Sequence, residues 1–176
     1  MDAMIVVDMQ AGLLQGPPKH DLAGVIARIN ALAAMVRRKA GTVFWIRHRG
    51  RPGEDFAPGR PSFEFLPALV RRDDDPIVEK TLNDPYVGTP LKALLAECSA
   101  RRVLVTGWAT DFCVDATVRS TVACDQHVVV PNDAHTLGDR PHLGARQVIA
   151  HHNWVWANLI TNRSVQVVPT EELLQP

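Results

Sequence analysis

Three residues of this chain, taken together, could do nucleophilic chemistry. Cys113 lies in the segment Val103-Leu-Val-Thr-Gly-Trp-Ala-Thr-Asp-Phe-Cys113-Val-Asp-Ala-Thr117. That segment reads as a strand, a glycine turn and the start of a helix. The first N–H groups of a helix lack partners, and its N-terminal dipole end is positive. Both favour thiolate over thiol, so a lowered Cys113 pKa is expected. The same N–H groups can hold a developing oxyanion. Asp8 follows an apolar run from Ala3 to Val7. A carboxylate at the end of a buried strand needs a partner or a task, and accepting the thiol proton is such a task. Lys80 ends another short apolar run. An ammonium there could pair with Asp8 and stabilise negative charge on sulfur or substrate. Each residue also has a plainer reading. A free cysteine is a common core residue, Asp8 could cap a strand or join a structural ion pair, and Lys80 could be a solvated strand end. The joint occurrence of all three favours catalysis.

The elements that must position them form an alternating series. Ala3 to Val7 reads as a buried strand. Leu22 to Lys39 carries a one-sided apolar stripe, with Asp21 as N-cap and Gly41 as the stop. Thr42 to Ile46 is β-branched and aromatic, hence a second strand. Residues 49–61 hold three prolines and three glycines, and read as a long loop, either a functional flap or a surface segment. Pro76 to Lys80 is the third strand. Thr89-Pro90 opens a helix through Leu95. Arg102 to Thr106 is the fourth strand, Cys113 to Cys124 is helical in pattern, and Gln126 to Val130 is the fifth strand. Pro141 to about Ile160 is a helix carrying Trp154 and Trp156, and Ser164 to Val168 is the sixth strand. Strands alternating with helices predict a three-layer α/β/α, Rossmann-like fold around a mostly parallel six-stranded sheet. Residues 1–176 are expected to form one domain. Ligands of such sheets bind beyond the carboxyl ends of the strands, where Asp8, Lys80 and the Gly107-to-Cys113 turn all fall.

Composition narrows the function classes. Lys+Arg and Asp+Glu both number 19 among 176 residues. Zero net charge argues against a nucleic-acid partner and leaves self-association unopposed by charge. No apolar run is long enough to span a bilayer, so no membrane partner is expected. The first ten residues lack the features of a signal peptide. Cys98, Cys113 and Cys124 form an odd, sparse set without paired spacing. They read as free thiols in a reducing compartment, and the cytoplasm is the expected location.

The ordered motifs carry a family resemblance. They are Ile5-Val-Val-Asp8-Met-Gln10, then Glu79-Lys80 with Asp84 and Gly88-Thr89-Pro-Leu91, then Gly107-Trp-Ala-Thr110-Asp-Phe-Cys113-Val114 with Ala116-Thr117-Val-Arg119, and last Val128-Val-Val-Pro-Asn-Asp133-Ala134. In that order and spacing the chain resembles the isochorismatase-like cysteine hydrolases. These include nicotinamidases, N-carbamoylsarcosine amidohydrolase, ureidoacrylate hydrolases and streptothricin hydrolase. The resemblance implies an Asp–Lys–Cys triad, mapping to Asp8, Lys80 and Cys113. It implies a cis peptide at Trp108–Ala109, an oxyanion hole from the backbone N–H groups of Ala109 and Cys113, and a homodimer or larger homo-oligomer. It also implies hydrolysis of a small-molecule amide or ureido C–N bond through a thioester. True isochorismatases cleave a vinyl ether and lack the nucleophilic cysteine, so Cys113 favours acyl transfer. Nicotinamidases carry a metal site on an Asp-x-His-Pro segment. The corresponding Ile46-Arg-His48-Arg-Gly50 lacks that pattern, and no metal or cofactor is expected.

Trp108 and Phe112 flank the nucleophile and are candidates for apolar pocket walls, with core packing the alternative. His135, after the fifth strand, is a candidate to border the pocket. Tyr86 and Phe63 are further candidates from the loops. The other histidines, His48 included, read as surface or capping residues. The Asp73-Asp74-Asp75 run reads as a solvated turn. Two rival functions stand beside amide hydrolysis: ester or thioester hydrolysis on the same triad, and a noncatalytic ligand-binding or redox-sensing role for a reactive thiol.

Overall fold

A computed structural model describes residues 2–175. Each apolar run seen in the sequence becomes a strand, because both faces of the sheet are covered and every position along the run can be buried. The strands are β1 (Asp2–Val7), β2 (Thr42–His48), β3 (Ile77–Lys80), β4 (Arg102–Trp108), β5 (His127–Pro131), β6 (His135–Thr136) and β7 (Val165–Val168). All pairings are parallel, in the order β3-β2-β1-β4-β5-β7. Strand β6 was not predicted. It pairs with Gly107 and Trp108 at the far end of β4, past the last pairing with β5. Two residues are too few to show a period in sequence.

The alternation of the strands sorts their side chains into two cores. Met4, Val6, Val43, Trp45, Leu104 and Val129 face α2 (Leu22–Arg38). Ala3, Ile5, Val7, Phe44 and Val105 face the other way. They pack with Leu91 and Leu95 of α3 (Leu91–Glu97), Val118 of α4 (Asp115–Ala123) and Trp156 of α5 (Ala145–Ala157). Trp156 is fully buried and donates from Nε1 to Asp115 Oδ1 at 2.8 Å, whereas Trp154 is 66% exposed. Two short helices, α1 (Ala11–Leu14) and α6 (Thr170–Leu174), complete the set. No helix is long and apolar enough to cross a membrane among the described residues.

Several local readings change. Gly41 does not supply the left-handed stop after α2. Ala40 does (φ 57°), and Gly41 is needed because a Cβ there would meet Asp2 O at 2.2 Å. Helix α5 starts at Ala145, not Pro141, because residues 140–143 close a turn through Arg140 N to Leu143 O at 2.8 Å. Asp75 is not solvated. Its buried carboxylate pairs with Arg37 and accepts from Trp45 Nε1 (2.9 Å) and Arg72 N (2.8 Å).

The strand order reverses direction between β1 and β4, which opens a crevice at their carboxyl ends. Val7 pairs with Ile46 and Gly107, and His48 pairs with Lys80. That register brings Asp8, His48, Lys80 and the turn after Gly107 to one edge of the sheet.

Candidate active site

Asp8 is the first residue past β1, and its backbone is left-handed (φ 48°). Asp tolerates that region better than most side chains, and such strain is held where surrounding structure fixes it. Its N–H donates to Ile46 O at 3.0 Å. Gly107, opposite Val7, has φ 115°, and a Cβ there would meet Val7 O at 2.2 Å. Only glycine lets β4 turn this close to β1.

Beyond Gly107 the Trp108–Ala109 peptide is cis. The chain then enters a π-helical turn, Thr110–Val114, before α4. The predicted helix at Cys113 is thus wide at its first turn, with Val114 N donating to Ala109 O at 3.1 Å. Single π turns are frequent at functional sites. Three contacts fix this one. Thr117 Oγ1 donates to Cys113 O at 2.6 Å, Arg140 forms a two-point pair with Asp111 (2.6 and 2.7 Å), and Thr110 Oγ1 lies 2.9 Å from His135 Nδ1.

The turn delivers the Cys113 thiol to a buried ion pair. Lys80 Nζ lies 2.6 Å from Asp8 Oδ2, and both side chains are 1% exposed. Lys80 also donates to Leu82 O (3.0 Å) and Cys113 Sγ (3.4 Å). Neither Asp8 oxygen is engaged in a well-formed hydrogen bond, so the carboxylate has lone pairs to spare. Burial pushes the Asp8 carboxyl above the usual carboxylate range, opposed by the Lys80 charge. Burial, followed by the Asp8 charge, pushes the Cys113 thiol up to about 12. This corrects the expectation of a lowered thiol pKa. The anion beside the sulfur and the loss of water outweigh the helix terminus.

Asp8, Ala109 and Cys113 open onto a cavity of about 410 Å³, which suits a small molecule. Leu13, His48, Phe56, Asn83, Trp108, Phe112 and Arg140 line the rest. Phe112 is 53% exposed, with the Arg140 guanidinium 5.1 Å from its ring.

Three predicted pocket residues lie elsewhere. Tyr86 packs toward the second core, its hydroxyl 2.8 Å from Thr121 Oγ1. Phe63 is buried under the Arg47 guanidinium, 4.0 Å from its ring. His135 is fully buried behind the turn, bridging Thr110 and Asn153 (Nε2 to Oδ1, 3.0 Å). Its place in β6 sends its side chain inward, to support the turn. His48, read as a surface residue, lines the cavity instead. Its main chain is clamped by the buried Gln10 amide, which accepts from His48 N (2.7 Å) and donates to His48 O and Phe63 O (2.9 Å each). The Asp8-Met-Gln10 spacing was the one sequence sign of this clamp. A nicotinamidase-type metal centre does not fit the residues present. Among the described residues, no three His, Cys, Asp or Glu side chains converge.

Burial holds the His135 imidazole down to about 4. A depressed folded-state pKa stabilises the fold above the ordinary value near 6.5, and that contribution is lost as pH falls from 6.5 toward 4. Lowering the pH from 7.5 to 5 should therefore cost the native protein about 2 kcal/mol through this group. His135→Gln should lose about that much less over the same range, measured by urea unfolding. Equal losses in both proteins would show that His135 carries none of the pH dependence.

The isochorismatase domain model matches residues 2–164. A streptothricin hydrolase from Streptomyces noursei is 31% identical over 142 residues, covering 80% of this chain and 51% of that protein. The chain thus spans about half the length of the streptothricin hydrolases it matches. A ureidoacrylate amidohydrolase from Enterobacter sp. is 28% identical, covering 77% of this chain and 76% of that one. The crystal structure of a cysteine hydrolase from Pseudomonas syringae pv. phaseolicola superposes with a TM-score of 0.86 at 23% identity, covering 98% of this chain and 90% of that one. At that identity the superposition establishes the shared fold. The match over residues 2–164, together with the parallel sheet and its crevice, establishes that this chain belongs to the isochorismatase family.

Proposed function

We propose that this protein, acting as one domain over residues 1–176, is a cysteine-dependent hydrolase of a small-molecule C–N bond, amide or ureido. The observation that carries the reading is the contact chain at the cavity floor. Lys80 Nζ lies 2.6 Å from Asp8 and 3.4 Å from Cys113 Sγ. In this reading Asp8 takes the thiol proton as Sγ attacks the substrate carbonyl carbon. A neutral resting thiol, in keeping with its raised pKa, makes that transfer part of the attack. The N–H groups of Ala109 and Cys113 hold the oxyanion, and Lys80 supplies positive charge. Protonated Asp8 returns the proton to the leaving nitrogen, the C–N bond breaks, and water then hydrolyses the thioester.

The name of the ureidoacrylate amidohydrolase relative supports C–N hydrolysis, and that of the streptothricin hydrolase supports hydrolysis. The raised thiol pKa counts against redox sensing, which favours an accessible, low-pKa thiolate. We further propose a cytoplasmic homodimer or larger homo-oligomer without a nucleic-acid partner. Three free cysteines and balanced charge agree with this.

A panel of small amides, ureido compounds and matched esters tests the bond class. Release of ammonia or amine from the C–N compounds is expected. Turnover of esters alone would move the reading to an esterase. Lys80→Ala separates hydrolysis from simple binding. It should lower kcat by about 10² to 10³-fold, while the acid product, titrated calorimetrically, still binds within a few-fold. Unchanged turnover would remove Lys80 from the reaction.

A further inference from the structure

Ureido and amide substrates differ at one atom beside the scissile carbonyl. When sulfur displaces the leaving nitrogen, a ureido compound keeps a second N–H on the acyl carbon, and a simple amide keeps a carbon there. One polar side chain of the cavity stands within reach of that atom. Asn83 lines the cavity with Asp8 and Cys113, and its Oδ1 lies 3.7 Å from Cys113 Sγ. Its neighbours in sequence are tied down. Leu82 O accepts from Lys80 Nζ at 3.0 Å, and the Asp84 carboxylate accepts from Tyr86 N (2.9 Å) and Ser120 Oγ (2.5 Å). The loop after β3 is thus held by the Lys80 ammonium on one side and by α4 on the other, with Asn83 exposed between them. The charged groups of the cavity are matched already, Asp8 with Lys80 and Arg140 with Asp111. Among the described residues, the Cys113 thiol is the only hydrogen-bond partner of the Asn83 side chain. A thiol is a weak donor, and a carboxamide oxygen has two lone pairs to fill. Acylation takes that donor away, because the sulfur then carries carbon in place of hydrogen. Asn83 Oδ1 loses its partner just as the acyl carbon arrives one bond from the sulfur.

We propose that Asn83 is a specificity residue that accepts a hydrogen bond from the N–H of a carbamoyl group on Cys113, and that the substrates are therefore ureido compounds. This inference rests on the C–N hydrolase reading and narrows it. Sulfur bonds to the ureido carbon, the C–N bond breaks, and ammonia leaves with the proton that Asp8 took from the thiol. The carbamoyl thioester presents its N–H to Asn83. Water then adds to the thioester carbon. Asp8, a carboxylate again, passes a water proton to the departing sulfur as the C–S bond breaks. The carbamic acid so formed loses carbon dioxide and leaves the amine.

The test uses the full chain and matched pairs of substrates: ethylurea with butanamide, butylurea with hexanamide, and benzylurea with hydrocinnamamide. Within each pair an N–H is exchanged for a methylene beside the scissile carbonyl. Ureas and amides differ in intrinsic reactivity, so the quantity read is the urea-to-amide ratio of kcat/KM, compared between native protein and variant. Asn83→Leu, close in size, removes the acceptor and should lower that ratio by about tenfold, the range of one hydrogen bond. A general disturbance of the site would lower both substrates together and leave the ratio where it was. An unchanged ratio, or native turnover of amides and of no urea, overturns this inference and leaves the C–N reading standing. Native turnover of neither class, with no adduct on Cys113, defeats the C–N reading and this inference with it.

Discussion

Asp8→Asn should reduce kcat/KM by about 10³ to 10⁴-fold while making Cys113 easier to ionise. The two effects have one cause. In the proposed mechanism the carboxylate accepts the thiol proton during attack, and its loss removes a general base. The same carboxylate also holds the thiol pKa up, second only to burial. With a neutral amide in its place, the thiolate gains Lys80 as its counter-ion, 3.4 Å away, and the pH midpoint for alkylation by iodoacetamide should fall. A nonspecific collapse would not separate these readouts. Removing one partner of a buried pair costs about 3–5 kcal/mol, so a thermal melt must first show that the variant is folded. A folded Asp8→Asn protein with native turnover would refute the assignment of Asp8 as base.

Cys113→Ser should lower turnover by about 10⁴-fold or more if Cys113 is the proposed nucleophile, since removing a nucleophile that acts with its base leaves only binding and the proposed oxyanion donors. Serine is close to cysteine in shape, and the turn that holds it is fixed by other residues: Thr117 at the Cys113 carbonyl, His135 at Thr110 and Arg140 at Asp111. Stability and substrate affinity should change little. The serine hydroxyl is a far poorer nucleophile than sulfur beside the same carboxylate. Steady-state kinetics on the C–N substrate identified by the panel checks this, with a fall in kcat at nearly constant KM expected.

The sheet was legible because its strands are short apolar runs in a repeating β–α order, and such runs fit only a parallel sheet covered on both faces. Asp8 and Lys80, at its carboxyl edge, were legible for the same reason, since polar groups ending buried strands stand out, and Cys113 was legible from the strand, glycine turn and helix start around it. The cavity walls were not. His48, Phe56, Asn83 and Arg140 sit at a strand end or in loops, where no period fixes which way a side chain points. Tyr86 and Phe63 look the same in sequence and turn into the interior. His135 shows the limit most clearly, because a two-residue strand decides that it braces the nucleophile turn from behind. The thiol pKa was out of reach too. It depends on burial first, and then on the Asp8 carboxylate, more than a hundred residues away in sequence.

The central claim is that Cys113 carries the acyl group between the two halves of the reaction. Intact-protein mass, recorded after rapid mixing with a panel of small amides, ureido compounds and esters, tests it most directly in native protein and in Cys113→Ser. The account predicts a transient mass gain equal to the acyl fragment, mapped to Cys113 in native protein and absent from the serine variant, with free acid as product. Turnover by native protein with no adduct under quench, together with undiminished activity in Cys113→Ser, would contradict it.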